Sequence, residues 1–239
     1  MYKLLLRYPI LGITLITFSM VSIWITPSRA GVTFKPPGAQ APKRSSGGAS
    51  RDGNICGFTT KATNNVSVTP LIPTTNIGLT VAEHPTIFVY VPGTKAQKAL
   101  FTLQDDGSKS YYHTTLNLPE NPGVMEVKLP NSVPGLKIGK NYQWSLVMIC
   151  AEELETDSPW VGGWIRRVEA DRRLNQQSHK PISLDLISQL AETGIWYDSL
   201  SLLAQLRRSQ PHDLSLTHAW EELLKSANLN AIANEPLVN

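Results

Sequence analysis

Four acids crowd one short stretch, Glu152, Glu153, Glu155 and Asp157 in AEELETDSP. Carboxylates this close offer oxygen ligands to calcium. The alternating spacing of a calcium loop and the glycine for its sharp turn are missing, however, so a solvated acidic loop is the plainer reading. The same loop holds acids of the kind a glycoside hydrolase places on either side of the scissile bond. Just beyond it, Trp160 and Trp164 bracket Gly162 and Gly163 and run into Arg166 and Arg167. Indole faces stack on sugar rings and guanidinium forks grip anionic groups, which makes these four residues a candidate ligand surface. Tryptophan is also usually largely buried, and the two indoles serve equally well as core where a last strand meets the rest of the fold.

Other chemistry finds less support. The five histidines are spread through the chain without H-E-x-x-H or H-x-H spacing, and His212 and His218 flank a helix start, so no metal site and no cofactor is expected. There is no G-x-S-x-G elbow, no P-loop and no G-x-G-x-x-G. The run GIWYDSLSLLAQLRRSQP, residues 194–211, sets Trp196, Tyr197 and Asp198 beside Gly194 like the lip of an active site. The leucines that follow at helical spacing argue instead for the packing seam of a helical hairpin.

The elements that would position these residues fall into two groups. Segments 86–93, 99–103, 110–118, 124–129 and 142–149 are short, rich in β-branched and aromatic residues, and separated by Pro and Gly; they read as strands. QDDGSK between the second and third, with Asp106 and Gly107, reads as the turn of a hairpin. Residues 160–170 read as a last strand, with Gly162 and Gly163 marking a bulge or a close backbone approach. Leu136, Gly139 and Tyr142 stand in the L-x-x-G-x-x-Y arrangement of a tyrosine corner. The expectation is an antiparallel sandwich of the immunoglobulin or fibronectin type III kind over residues 55–169. After it the period changes to 3.6. Pro181 is expected in a first helical turn, with Leu184, Ile187 and Leu190 on one face and Gly194 as a left-handed stop. A second helix carries Trp196, which is expected to pack on the preceding helix, and Asp198 in the first turn, where the dipole favours an acid. Pro211 ends it, and Leu216, Trp220 and Leu223 mark a third helix. Residues 170–239 thus resemble a tetratricopeptide-like hairpin with one extra helix. The class is α+β, and exposed helix positions such as Arg207 and Arg208 are expected to carry partner contacts.

Residues 1–30 read as a cleaved export signal. Lys3 and Arg7 lead an apolar run over 10–25, and Ser28, Arg29 and Ala30 form a small-x-small site before Gly31. The formal net charge of +3 comes from Lys3, Arg7 and Arg29, three of the 22 Lys and Arg; the remaining 19 balance 19 Asp and Glu. A formally neutral mature chain lacks the footprint of a nucleic-acid binder, and no membrane contact is expected beyond the signal. Residues 31–54, rich in Pro, Gly and Ser, read as a flexible tether. In an exported chain Cys56 and Cys150 are expected to pair, and closing so long a loop is worth about 4.6 kcal/mol of unfolded-state entropy.

Taken together, GLTVAEHPTIFVYVP (78–92), GKNYQWSLVMIC (139–150), GGWIRRVE (162–169) and GIWYDSL with the later Pro211 and Trp220 resemble a family of exported cyanobacterial proteins known as domain of unknown function 928. The likeness runs from Cys56 to Leu237. It implies a periplasmic or extracellular location and no catalytic residue. FVY at 88–90 stands where a richer aromatic run belongs, which argues against a ligand role for that strand. The resulting expectation is a non-enzymatic envelope module that recognises a protein or polysaccharide partner. A glycan hydrolase using the 152–157 acids and a periplasmic carrier of a small ligand or metal are the alternatives.

Overall fold

Every second residue of NYQWSLVMI is large and apolar, and the strand it forms, β7 (Asn141–Ile149), buries Tyr142, Trp144, Leu146 and Met148 on one face. The computed structural model describes residues 31–38, 41–42, 56–57, 67–106, 110–151, 154, 157–171 and 181–238. The export signal, most of the tether, Gly107, Glu152, Glu153 and Glu155 lie outside the described residues. The other strands are β1 (Thr69–Pro70), β2 (Ile77–Thr80), β3 (Thr86–Val91), β4 (Lys98–Asp105), β5 (Ser110–Asn117), β6 (Gly123–Lys128) and β8 (Trp160–Arg167). They form a three-stranded sheet, β1-β3-β6, and a five-stranded sheet, β2-β8-β7-β4-β5. The hairpin around Asp106 joins β4 to β5, in register from Lys98 with Asn117 to a shift at Leu103 and Gln104.

One pairing departs from the antiparallel expectation. β2 runs parallel to β8, with Ile77 opposite Trp164 and Thr80 opposite Arg167. IGLT is too short and too glycine-broken to show a strand period by itself, and long-range pairing organises it.

Three helices follow among the described residues: α1 (Leu184–Glu192), α2 (Trp196–Ser209) and α3 (Leu214–Ser226). α1 starts after Pro181, not around it, because the Ser183 hydroxyl accepts the Leu186 N–H at 3.3 Å and caps the helix. Gly194 ends α1 at φ +82°, its N–H donating to Ala191 and the next N–H, of Ile195, to Leu190 at 2.9 Å. That doubled bond needs a residue at ease in the left-handed region. Asp213 caps α3 by accepting the Ser215 N–H at 2.8 Å.

Helices and sheets share one core. β3 is buried on both faces. Phe88 meets Trp220 edge to face at 6.1 Å, and Glu126, opposite Phe88 in the sheet, pairs with Arg208. The helices therefore cover the side of the small sheet that carries Phe88, and the five-stranded sheet covers the other. The main hydrophobic cluster runs from Val32 to Ala233 and a smaller one joins Leu79 to Leu190 and Ile195, so both cross the boundary expected at residue 170.

The tether expectation fails at its beginning. Val32 and Phe34 are buried, and the Phe34 N–H donates to Ser226 Oγ at 2.9 Å. Average composition hid a V-x-F alternation whose two side chains both reach the core. Cys56 and Cys150 form a disulfide with Cα atoms 5.0 Å apart, spanning 94 positions and tying the N-terminal lead to the end of β7. At the far end the Val238 N–H donates to Val124 at 2.9 Å and the Val124 N–H to Pro236 at 2.7 Å, which lays a parallel bridge along the outer edge of β6.

Candidate functional site

The aromatic pair at the start of α2 reaches into the sheets. Trp196 Nε1 donates to the Leu71 carbonyl at 2.8 Å, and its ring stands edge to face with Phe34 at 4.8 Å. Tyr197 is fully enclosed. Its hydroxyl accepts from Trp144 Nε1 at 2.9 Å and donates to the Trp164 carbonyl at 3.1 Å. Burial pushes this phenol far up, against the smaller opposing pull of the Trp144 bond. Gly78 makes the approach possible. A Cβ there would lie 2.6 Å from Tyr197 Cε2 and 3.0 Å from Trp196 Cδ1, so a larger residue on β2 would hold α2 off the sheet.

One residue further, Asp198 does more than complement a helix dipole. Its Oδ2 accepts the Val81 N–H at 3.2 Å, which ties α2 to the chain leaving β2. The carbonyl of Val81 accepts in turn from Arg167 Nε at 3.3 Å. Arg167 also donates to Leu136 at 2.8 Å and pairs with Glu83 at 3.1 Å. Both polar backbone groups of Val81 are thus used, one by each side chain. Burial raises the Asp198 carboxyl above the usual carboxylate range, with the Thr80 hydroxyl and the Val81 N–H pulling the other way.

Between this loop and the helices lies a cavity of about 470 Å³. Val81, Pro85, Ile182, Leu186, Leu190 and Leu202 make its apolar wall; Asp198, Ser201, Thr86 and His84 are its polar points. His84 Nε2 contacts the Val133 carbonyl at 2.8 Å, and because a carbonyl only accepts, that nitrogen carries the proton. The arrangement suits an apolar body with a hydrogen-bond donor or cation at one end, directed at the carboxyl group of Asp198. Sequence reasoning missed this site. Asp198 is visible as a first-turn acid, but its partner is a backbone N–H, which leaves no signature in residue types.

The residues singled out from sequence are placed as follows. Trp160, Trp164 and Arg166 alternate onto one face of β8 and Arg167 onto the other, so the four form no common patch. Trp164 is 5% exposed, which leaves no indole face for stacking, and Arg167 is taken up by the loop it braces. Gly162 and Gly163 mark close approaches, not a bulge: a Cβ on Gly162 would sit 2.5 Å from the Trp144 carbonyl oxygen, and the ladder to β7 is unshifted there. The Tyr142 hydroxyl accepts the Lys137 N–H at 3.0 Å, the upstream backbone bond that its spacing anticipates. Arg207 and Arg208 are not free contacts. Arg207 stacks over Trp220 at 5.1 Å and Arg208 pairs with Glu126. Asp157 is exposed, and the other three acids of its loop are outside the described residues. Among the described residues no three His, Cys, Asp or Glu side chains cluster as a metal site requires, and no helix is long and apolar enough to cross a membrane.

These features define an α+β protein in which two sheets and three C-terminal helices enclose one core, with a cavity where loop and helices meet. The family model described as Domain of Unknown Function (DUF928) matches residues 46–237, and the chain belongs to that family. No curated protein matches it.

Proposed function

We propose that this chain is an exported, non-catalytic binding module of the cell envelope, and that the cavity beside Asp198 receives an apolar group of its partner. One observation carries the reading: an apolar cavity of about 470 Å³ with a single enclosed acid among its described lining residues. Ligand sites typically measure about 300–1,000 Å³ and combine an apolar wall with a few fixed polar groups. Binding is favoured over catalysis because the polar groups are already engaged: Asp198 accepts from Val81 and His84 donates to Val133, which leaves no base poised on a nucleophile. Export rests on the signal-like first thirty residues and on the disulfide, which persists outside the cytosol. The strand order and the Tyr142 bond support a sandwich of the immunoglobulin or fibronectin type III kind, and the Gly194 stop between α1 and α2 supports a tetratricopeptide-like hairpin.

The same volume favours a second reading, a carrier of a small ligand. Native mass spectrometry of protein purified from its source, before and after mild crosslinking, decides between them. A small molecule retained by the native protein and absent from Leu202→Trp, which fills the cavity, supports the carrier. A crosslinked protein or polysaccharide lost in the same variant supports the module. Cargo or partner that is indifferent to Leu202→Trp, or none at all, overturns both.

A further inference from the structure

The residues that follow the expected signal cleavage are part of the packed structure. Val32 and Phe34 are buried, and the Lys35 N–H donates to the Ala191 carbonyl at 3.1 Å, so the 31–37 strip crosses from α3 to α1. Gly31, at its head, lies directly against α3. A Cβ built there would stand 2.6 Å from Glu222 Oε2 and 3.1 Å from the carboxyl carbon, so the glycine backbone lies directly beside that carboxylate and a larger residue would push the carboxylate aside.

Among the described residues, His218 is the charge-bearing side chain paired with Glu222. Its other oxygen faces His218 Nδ1 at 3.4 Å, a cation only when protonated. Lys225, on the same helix, is held by Glu221 at 2.9 Å. The Glu222 side chain is 36% exposed, and the described contacts give it no permanent cation.

We propose that removal of the signal between Ala30 and Gly31 creates an anchoring site, in which the α-ammonium of Gly31 pairs with the Glu222 carboxylate and fastens the 31–37 strip to α3. The step is peptide hydrolysis by a signal-removing peptidase. One water is consumed, Ala30 leaves as a carboxylate, and the Gly31 nitrogen, a neutral amide before the cut, becomes an amine that is protonated at neutral pH. Cleavage thereby places a positive charge beside a carboxylate that no lysine or arginine among the described residues pairs with. A glycine at that position leaves the carboxylate in place beside the new amine, whereas alanine or serine would displace it. The inference rests on export and on the cleavage position, and is independent of what the cavity binds.

The exported protein tests it directly. N-terminal sequencing is expected to start at Gly31. The Gly31 amine, followed by NMR after reductive ¹³C-methylation, is expected to titrate above the ordinary α-amino range of about 7.7–8.0, and Glu222→Gln to return it there. A chain that keeps Ala30 ahead of Gly31 is expected to melt about 1–4 °C lower than the cleaved form, and the same extension to cost nothing more in Glu222→Gln. A different N-terminus, an amine that titrates ordinarily with Glu222 present, or an extension that costs as much in Glu222→Gln as in the natural chain would overturn the assignment.

Discussion

The indole N–H of Trp144, in the middle of β7, donates to the phenol oxygen of Tyr197, in the first turn of α2, at 2.9 Å inside the protein. The phenol O–H donates in turn to the Trp164 carbonyl of β8. One hydroxyl therefore joins two neighbouring strands of the large sheet to the helical layer, and it does so where water does not reach.

Tyr197→Phe keeps the ring and removes that hydroxyl, leaving the Trp144 N–H and the Trp164 carbonyl without it. Each buried polar group stranded in this way costs about 1–3 kcal/mol. Urea unfolding is expected to show a loss of about 2–4 kcal/mol with an unchanged m-value. A loss below 0.5 kcal/mol would show that water has replaced the hydroxyl.

Asp198 sets a pH dependence of definite sign. Its carboxyl titrates above the ordinary value of 3.8 in the folded chain, chiefly through burial. Between the unfolded and folded values the native state binds more protons, so this contribution to stability is complete below about 3.8 and is lost as pH rises through the folded value. Asp198→Asn keeps an oxygen for the Val81 N–H and removes the charge. Relative to the natural chain it is expected to melt higher at pH 7 and to lose that advantage near pH 4. Asp213 titrates in the opposite direction, held low by the Ser215 hydroxyl and N–H, so the difference between the two proteins is what isolates Asp198. A flat difference curve from pH 3 to pH 8 would refute the assignment.

Cys56→Ser with Cys150→Ser opens a loop of 94 positions. The expected cost is about 2–5 kcal/mol, felt mainly through the freedom returned to the unfolded chain. Reduction of the natural protein should lower its thermal midpoint to that of the double variant, and calorimetry with and without reductant reads both. Equal midpoints for oxidised protein and double variant would remove the crosslink from the account of stability.

How much of this was legible beforehand depended on whether a residue's partners are near in sequence and written in side chains. β7 and the β4–β5 hairpin were legible because alternation and a turn are local signals. Gly194 was legible because a glycine between two amphipathic runs has one common use. β2 was not, since four residues paired in parallel to a distant strand carry no period. The role of Val32 and Phe34 was hidden by the Pro, Gly and Ser around them. The Leu71 and Phe34 partners of Trp196 were hidden for a related reason: helical spacing identifies the buried face but not everything that covers it. The cavity was illegible because its key bond joins Asp198 to the backbone of Val81 across 117 positions. The bracing role of Arg167 was hidden similarly, since its partners are mostly carbonyl oxygens.

The exchange of hydrogen bonds between Val124 and Pro236 and Val238 closes the outer edge of the smaller sheet with a segment far downstream of β6. That edge is left unpaired wherever the downstream strip is displaced. A peptide appended beyond residue 238 would meet that seam, so an affinity handle placed there is expected to interfere where one spliced into an exposed loop would not.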